Sequence, residues 1–383
     1  TMTRNNGELS ELHQAVGQAI LANTCDLQHF FPVTGKKVEL PTYAWQHEKF
    51  WYTSTPESYQ ILGRFPVHPL LGAKLPKEDF SWESHLNTGN HAWLTGHNVG
   101  GSIVLPGAAF AEMALNASSH FQDAEILELE NLEILAPLIL DDELGKVVHT
   151  RVSPSGDIEI LSRTYNSDEK YRLQAKAKIV HQPTGLSLQD IKIPVIPDTD
   201  ADFDKQSHYK LTEQAVLNYQ GAFSAVENGW VQDEGILSKL ELPGEFIQDL
   251  DHYYLHPGLL DSAIQLVLHH LIDKLNFVSG IAFVPISMAK ITYLKKAGNP
   301  PAYAFLKCLK LSPHSVLTDL ELYDKDQKPI ALIEKLRYRA VKLQDKKQHL
   351  SYLDYYLTPA PRINESLPTL SDKVHSALSK SFY

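Results

Sequence analysis

His97 has neighbours that suit acid–base chemistry. Gly100 and Gly101 follow it, and Pro106 and Gly107 open a stretch whose apolar spacing predicts a helix. Glycine lets a backbone approach a ligand closely, and N–H groups at a helix N-terminus can face a polarised carbonyl. A neutral imidazole beside such donors is a candidate acceptor for a proton on the carbon next to that carbonyl. The alternative is an ordinary loop histidine before a turn.

Asp261 is the second candidate. It follows Pro257 in the first turns of a predicted helix whose other residues are mostly apolar. A carboxylate in apolar surroundings is costly unless it is neutralised or hydrogen-bonded. Gln265 lies four residues later on the same helix face and is placed to bind it. The alternative is an aspartate that only complements the helix dipole.

The other clusters of titratable side chains do not indicate a catalytic or metal site. Four side chains of metal-ligating type match no known ligand spacing, so we expect a solvated acidic turn at Asp249, Asp251, His252 and His256. His269 and His270 are predicted near a helix end, where they would complement the C-terminal dipole. We therefore expect no metal site.

Composition excludes several classes of function. The chain has 383 residues and a net charge of −11, which disfavours nucleic-acid binding. No stretch reaches 18 consecutive apolar residues, so no membrane span is expected. Cys25 and Cys308 are the two cysteines. They cannot form a disulfide framework, which favours a reducing compartment, the cytoplasm.

The hydropathy pattern predicts an α+β fold with two similar halves. A helix near 107–120 precedes three strands at 147–152, 158–165 and 171–180. A second helix near 258–272 precedes strands at 302–311, 316–323 and 330–341. A long helix wrapped by an antiparallel sheet is the hot-dog arrangement, and we predict two in tandem. The predicted division is an N-terminal linker (1–60), two hot-dogs (61–197 and 198–342) and a C-terminal tail (343–383).

The candidate residues also form spaced motifs. His97-x-x-x-Gly101-x-x-x-x-Pro106 resembles the HxxxGxxxxP motif of polyketide synthase dehydratase domains, and Asp261-x-x-x-Gln265 resembles their DxxxQ/H motif. His68-Pro-Leu-Leu-Gly72 is similar to the usual opening of the family, and Tyr219-Gln-Gly-Ala-Phe223 occupies the place of its YGPxF motif. Residues 40–52 resemble the linker that follows an acyltransferase domain. The resemblance implies a piece of a longer synthase.

It also implies a double hot-dog and a reaction. Water would leave a 3-hydroxyacyl thioester on an acyl carrier protein, with His97 removing the α-proton and Asp261 acting on the β-hydroxyl. Gly101 and the helix N-terminus would polarise the carbonyl, and Pro106, Tyr219 and Gln265 would shape the substrate site. No cofactor is implied beyond the carrier's phosphopantetheine. The partners implied are the carrier protein, neighbouring synthase domains and a second copy in a homodimer, with no nucleic acid and no membrane.

Three alternatives remain. Related domains also shift double bonds, close oxygen rings or hydrolyse the thioester. A non-catalytic spacer is the second alternative, and a free hydratase or thioesterase that acts on coenzyme A is the third. Gln220 and Gly221 stand where the family has Gly-Pro. A more polar, more flexible wall beside the substrate would suit a highly oxygenated or ring-closing substrate, whereas neutral drift at a surface turn is the simpler explanation.

Overall fold

The computed structural model describes residues 9–22, 66–75, 79–140, 145–165, 167–185, 188, 191, 195–275, 280–295 and 299–343. Two compact units divide the chain, Thr1–Thr55 and Pro56–Tyr383. In the first unit, the described residues form helix α1 (Leu9–Leu21), in which apolar residues recur at helical spacing. The predicted aromatic linker at 40–52 and the predicted tail beyond 343 lie outside the described residues.

The second unit contains the strands, and its first half supplies nine of those described. They are β1 (Pro66–His68), β2 (Gly72–Lys74), β3 (Ser81–Leu86), β4 (His97–Val99), β5 (Ser102–Ile103), β6 (Ile126–Ile134), β7 (Lys146–Val152), β8 (Asp157–Thr164) and β9 (Arg172–Ile179). Strands β7, β8 and β9 form the predicted meander, because buried and exposed residues alternate along them.

The second half supplies eight more described strands. They are β10 (Phe203–Asp204), β11 (Leu217–Tyr219), β12 (Val226–Val231), β13 (Ile236–Leu240), β14 (Ile281–Leu294), β15 (Tyr303–Ser312), β16 (Ser315–Tyr323) and β17 (Pro329–Lys342). Strands β15, β16 and β17 are the three predicted there.

One antiparallel sheet joins the two halves. Among the described residues it runs β1-β2-β3-β7-β8-β9-β6-β14-β17-β16-β15-β13-β12-β10, while β11, β4 and β5 form a second, small sheet. The halves meet where β6 pairs with β14, in a register that runs from Glu133 opposite Ser287 to Ile126 opposite Leu294. Because the small sheet joins β4 of the first half to β11 of the second, it also crosses between the halves.

A buried helix belongs to each half. Helix α2 (Gly107–Phe121) is buried from Ala108 to Ser118, and its many alanines permit close packing against the sheet. After α3 (Lys205–Gln214), the second half contains α4 (Pro257–Gln265) and α5 (Val267–Leu275). The predicted helix at 258–272 is therefore two helices. They separate at Leu266, whose N–H bonds in the tighter 3-10 manner to the Ala263 carbonyl.

None of the described helices has both the length and the apolar character that a membrane crossing requires.

Candidate active site

The structure brings His97 and Asp261 together. His97 Nε2 lies 3.6 Å from Asp261 Oδ1, and both side chains are buried. His97 begins β4 in the first half and Asp261 lies in α4 in the second, so the site needs both halves. At 3.6 Å the two groups are too far apart for a good direct hydrogen bond, yet close enough to act on adjacent atoms of one bound molecule.

A short hairpin orients His97. Gly100 and Gly101 have φ angles of +61° and +82°, which only glycine adopts readily, and they turn the chain from β4 into β5. The turn brings the Val104 carbonyl 2.7 Å from His97 Nδ1. A carbonyl only accepts, so Nδ1 carries the proton and Nε2 presents its lone pair towards Asp261.

Gly101 does not take part in the way that the sequence led us to expect. It is exposed, and its N–H donates to Asn98 Oδ1 at 2.9 Å. A donor already bound within its own turn, outside the cavity, is not available to a substrate carbonyl. The Gly-Gly pair therefore forms the turn that orients His97.

Pro106 adjoins the cavity beside His97 without lining it. It is the N-cap of α2, with φ −66° and ψ 153°, so the helix begins at the next residue, Gly107. The cavity wall includes its neighbours Leu105 and Gly107 rather than Pro106 itself. A Cβ at Gly107 would come within 3.0 Å of Ile134 Cδ1 and of Pro285 Cγ, so glycine leaves the helix N-terminus open to the cavity.

Gln265 binds Asp261 as the four-residue spacing predicts. Its Nε2 donates to Asp261 Oδ2 at 2.9 Å and to the Phe223 carbonyl at 3.2 Å. Helix α4 is buried along its whole length and begins with His256 as N-cap, whose Nδ1 accepts the Gly258 N–H. The buried carboxyl group thus has a hydrogen-bond donor at Oδ2, and Oδ1 is left facing His97.

Tyr219 lies beside the pair, whereas Gln220 does not. Strand β11 places Tyr219 opposite His97, with ring centroids 5.3 Å apart. Burial raises the pKa of Tyr219 well above its ordinary value, so the phenol stays protonated. Gln220 is exposed and does not line the cavity that Tyr219 lines. The proposed polar wall is therefore wrong. Although β11 ends at Tyr219, Gln220 is still extended, with φ −144° and ψ 168°, and successive residues of an extended chain point to opposite faces.

A cavity of about 550 Å³ lies against these groups. His97, Asp261, Tyr219 and Gln265 all line it, and most of the remaining wall is apolar: Val99, Leu105, Phe110, Ile264, Leu268 and Phe283. An acyl chain suits such a wall, with its polar end at His97 and Asp261.

Two histidines near the site were not predicted to belong to it. His208, on α3, is fully buried with its Nε2 3.2 Å from Gln265 Oε1. His269 Nε2 lies 2.9 Å from His208 Nδ1. Burial, together with nearby His208 and His270, lowers the pKa of His269 to about 3. His269 is therefore neutral and does not complement a helix dipole as predicted. No spacing in the sequence joins the two histidines, which meet only because α3 packs near α4 and α5.

No group of three or more histidine, cysteine, aspartate or glutamate side chains is arranged to bind a metal ion in the part of the chain that the structure describes. The sequence cluster near Asp249 therefore does not come together as a site, and His256 instead caps α4.

Family models match both halves. One, described as a polyketide synthase dehydratase domain, covers residues 68–164, and one described as a polyketide synthase dehydratase N-terminal domain covers residues 193–348. His97 falls within the first match and Asp261 within the second.

Similar full-length proteins are polyketide synthases. The chain is 27% identical over 362 residues to the spectinabilin polyketide synthase system protein NorB of Streptomyces orinoci, covering 88% of this chain and 16% of that protein. It is 27% identical over 333 residues to the mycocerosic acid synthase-like polyketide synthase of Mycolicibacterium smegmatis, covering 84% of this chain and 15% of that protein. The chain thus spans less than a fifth of these relatives.

Solved structures agree on the fold. The dehydratase domain of a mycocerosic acid synthase-like polyketide synthase aligns with a TM-score of 0.58 and 25% identity, over 71% of this chain and 96% of that one. The dehydratase domain from the CurJ module of the curacin polyketide synthase aligns with a TM-score of 0.61 and 20% identity, over 73% of this chain and 98% of that one. The predicted α+β double hot-dog is confirmed.

The chain belongs to the polyketide synthase dehydratase domains, the lyase-type domains that remove water during polyketide biosynthesis.

Proposed function

We propose that this domain is a hydro-lyase that converts a 3-hydroxyacyl thioester, carried on the phosphopantetheine of an acyl carrier protein, to the 2-enoyl thioester. The 3.6 Å approach of His97 Nε2 to Asp261 Oδ1, at the wall of a mostly apolar cavity, carries the proposal. A base and an acid this close can act on adjacent carbons of one acyl chain.

His97 Nε2 takes a proton from Cα. The electron pair of the Cα–H bond becomes the second bond between Cα and Cβ, and the Cβ–O bond breaks with its pair on oxygen. Asp261 Oδ1 gives its proton to that oxygen, which leaves as water. Because the two groups lie together, both act on one face of the chain, and the elimination is syn.

The thioester carbonyl needs a donor while negative charge develops on its oxygen. Gly107 lines the cavity as the first residue of α2, and the first N–H groups of a helix have no partner within it. These N–H groups are the proposed donors, in place of Gly101. After water and product leave, a proton passes from His97 back to Asp261, which restores both groups.

The remaining partners follow from this reaction. The carrier protein delivers the substrate, and no further cofactor takes part. Neighbouring synthase domains supply the hydroxyacyl chain and consume the enoyl product, a second copy pairs with the domain as a homodimer, and the compartment is the cytoplasm. Ring closure is not proposed, since Gln220 lies outside the cavity.

Product mass tests the proposal. The 383-residue chain is incubated with carrier-bound 3-hydroxyacyl thioesters of both hydroxyl configurations, and each acyl group is weighed. Loss of one water from one configuration supports the proposal. Release of a free acid, or no mass change across the whole set, contradicts it. Isomerisation of a 2-enoyl standard without any dehydration would instead identify a double-bond-shifting domain.

A further inference from the structure

A chain of hydrogen bonds, buried except at its partly buried outer end, extends behind Asp261. It runs from Asp261 Oδ2 to Gln265 Nε2 (2.9 Å), from Gln265 Oε1 to His208 Nε2 (3.2 Å), and from His208 Nδ1 to His269 Nε2 (2.9 Å). Of these residues, the reaction proposed above uses only Asp261, which Gln265 binds. His208 and His269 are titratable groups without a role in it.

The acceptors around Gln265 fix the direction of every proton in this chain. The amide nitrogen faces two acceptors, the Phe223 carbonyl and Asp261 Oδ2, so both amide hydrogens are donated there. The amide oxygen can then only accept, which requires the proton of His208 on Nε2. Because burial lowers the pKa of His208 to about 4, its Nδ1 is an unprotonated acceptor at neutral pH, and His269 Nε2 carries the proton between the rings.

We propose that His208 and His269 are positioning residues that determine which oxygen of Asp261 bears the catalytic proton. His208 adds to the Phe223 carbonyl in holding the Gln265 amide against rotation, because rotation would set the amide nitrogen against the Nε2–H of His208. The locked amide occupies Oδ2, so the acidic proton is confined to Oδ1, the oxygen that faces His97 and the cavity. This inference rests on the proposed function of Asp261.

Packing alone does not explain the pair. His208 is fully buried, and its environment is apolar enough to depress its pKa strongly. An apolar side chain of similar volume would fill that space without the cost of desolvating two imidazoles. Phe203 stacks on His269 at a ring distance of 3.7 Å and an interplanar angle of 19°, which holds the outer ring in line with His208. A hydrogen-bonded row of this kind restricts orientation, which packing by itself would not.

Three variants separate positioning from packing. His208→Leu keeps the volume but removes the donor to Gln265, and we expect kcat for dehydration to fall by about 10- to 100-fold with KM unchanged, as expected for a misplaced catalytic group. His208→Gln places an amide N–H where Nε2–H stood, and we expect it to restore kcat to within about 3-fold of wild type. His120→Leu removes another histidine, the exposed one in the last turn of α2, and should leave kcat unchanged.

A readout independent of turnover accompanies the kinetics. Nitrogen-15 NMR of histidine-labelled protein distinguishes protonated from bare ring nitrogens. We expect His208 and His269 each to carry one proton, on Nε2, at pH 7. If His208→Leu does not fold, His269→Leu takes its place. We then expect His208 to populate the Nδ1–H form and kcat to fall by about 3- to 10-fold, because a bare Nε2 no longer holds the amide oxygen.

The outcomes distinguish a positioning role of the two histidines from a packing role. Wild-type kcat in His208→Leu, or in His269→Leu where that replaces it, overturns the inference, and so does a His208 proton on Nδ1 in the wild-type protein. Equal losses in His208→Leu and His208→Gln also overturn it, since a packing role would not distinguish a donor from a hydrocarbon. The wild-type protein could show the expected tautomers of His208 and His269 and yet dehydrate no substrate. That result would refute the proposed function but not the hydrogen-bond chain.

Discussion

The carboxylate of Glu112 accepts the backbone N–H of Leu255 at 2.8 Å, from a position 143 residues earlier in the chain. It also accepts hydrogen bonds from the Tyr254 N–H at 2.9 Å and from Asn116 Nδ2 at 2.7 Å, and His68 Nε2 lies 3.2 Å away. Glu112 is fully buried in α2, whereas Leu255 directly precedes the N-cap of α4. One buried carboxylate therefore connects the helix of the first half to the start of the helix that bears Asp261.

Glu112→Gln should destabilise the protein by about 2–4 kcal/mol. The substitution replaces an accepting oxygen by an N–H₂ group that faces other donors, and an unsatisfied buried group costs the full desolvation penalty. Urea unfolding measures the difference, with exposed Glu169→Gln as control. Equal unfolding free energies for the two variants would show that Glu112 does not connect the halves.

Gly258→Ala should disturb the site through the backbone. A Cβ at Gly258 would overlap the Ala222 carbonyl oxygen, so α4 must shift and take Asp261 with it. We expect a loss of about 1–3 kcal/mol in unfolding free energy, and slower dehydration. Gly244→Ala is the matched control, since nothing lies within 4 Å of a Cβ there. Two equally active and equally stable variants would contradict the packing described for α4.

Gln220→Gly should leave dehydration unchanged. Gln220 is exposed and points away from the cavity that Tyr219 lines, so its amide does not meet the substrate. The rate is compared for a simple 3-hydroxyacyl thioester and for one with a distal hydroxyl. A selective loss on the second substrate would restore the polar-wall interpretation. Gly221→Pro is unsuitable as a test, because φ is +55° at Gly221 and proline requires a negative φ.

His256 should make the stability depend on pH below neutrality. Burial lowers the pKa of His256 to about 4 in the folded protein, while the unfolded chain protonates it near its ordinary value of about 6.5. Above about pH 6.5, His256 is neutral in both states and does not make the stability depend on pH. As the pH falls from about 6.5 to about 4, the unfolded state binds the extra proton, and stability declines by about 1.4 kcal/mol per pH unit.

His256→Asn removes that proton while keeping a residue that caps helices. Urea unfolding at a series of pH values from 7 to 5 should show a shallower decline for His256→Asn than for wild type. Exposed His314→Asn should keep the wild-type slope. Parallel curves for all three proteins would mean that His256 is protonated in the folded state.

The regular elements could be predicted wherever the pattern is local. Alternation located β7, β8 and β9, and helical spacing located α2. The pairing of β6 with β14, which joins the halves, was not predicted, because a register between strands more than 140 residues apart leaves no local signature.

The site could be predicted only in part. The spaced motifs identified His97, Asp261 and Gln265. Gly101 was misassigned, because a Gly-Gly pair is equally consistent with a tight turn and with a ligand contact, and only the bond from its N–H to Asn98 decides between them. Strand alternation after Tyr219 was the available signal that Gln220 points away. His208 and His269 had no such signal, since their contact depends on how α3, α4 and α5 pack.

Single-turnover dehydration by catalytic-pair variants tests the central claim most directly. Wild type, His97→Ala and Asp261→Asn are each mixed in excess with one carrier-bound 3-hydroxyacyl thioester that wild type accepts, and the enoyl product is followed by mass. We expect both variants to remain folded and to lose at least about 100-fold in rate, because each lacks one proton-transfer group. Near-normal dehydration by either variant would show that His97 and Asp261 do not share the acid–base work.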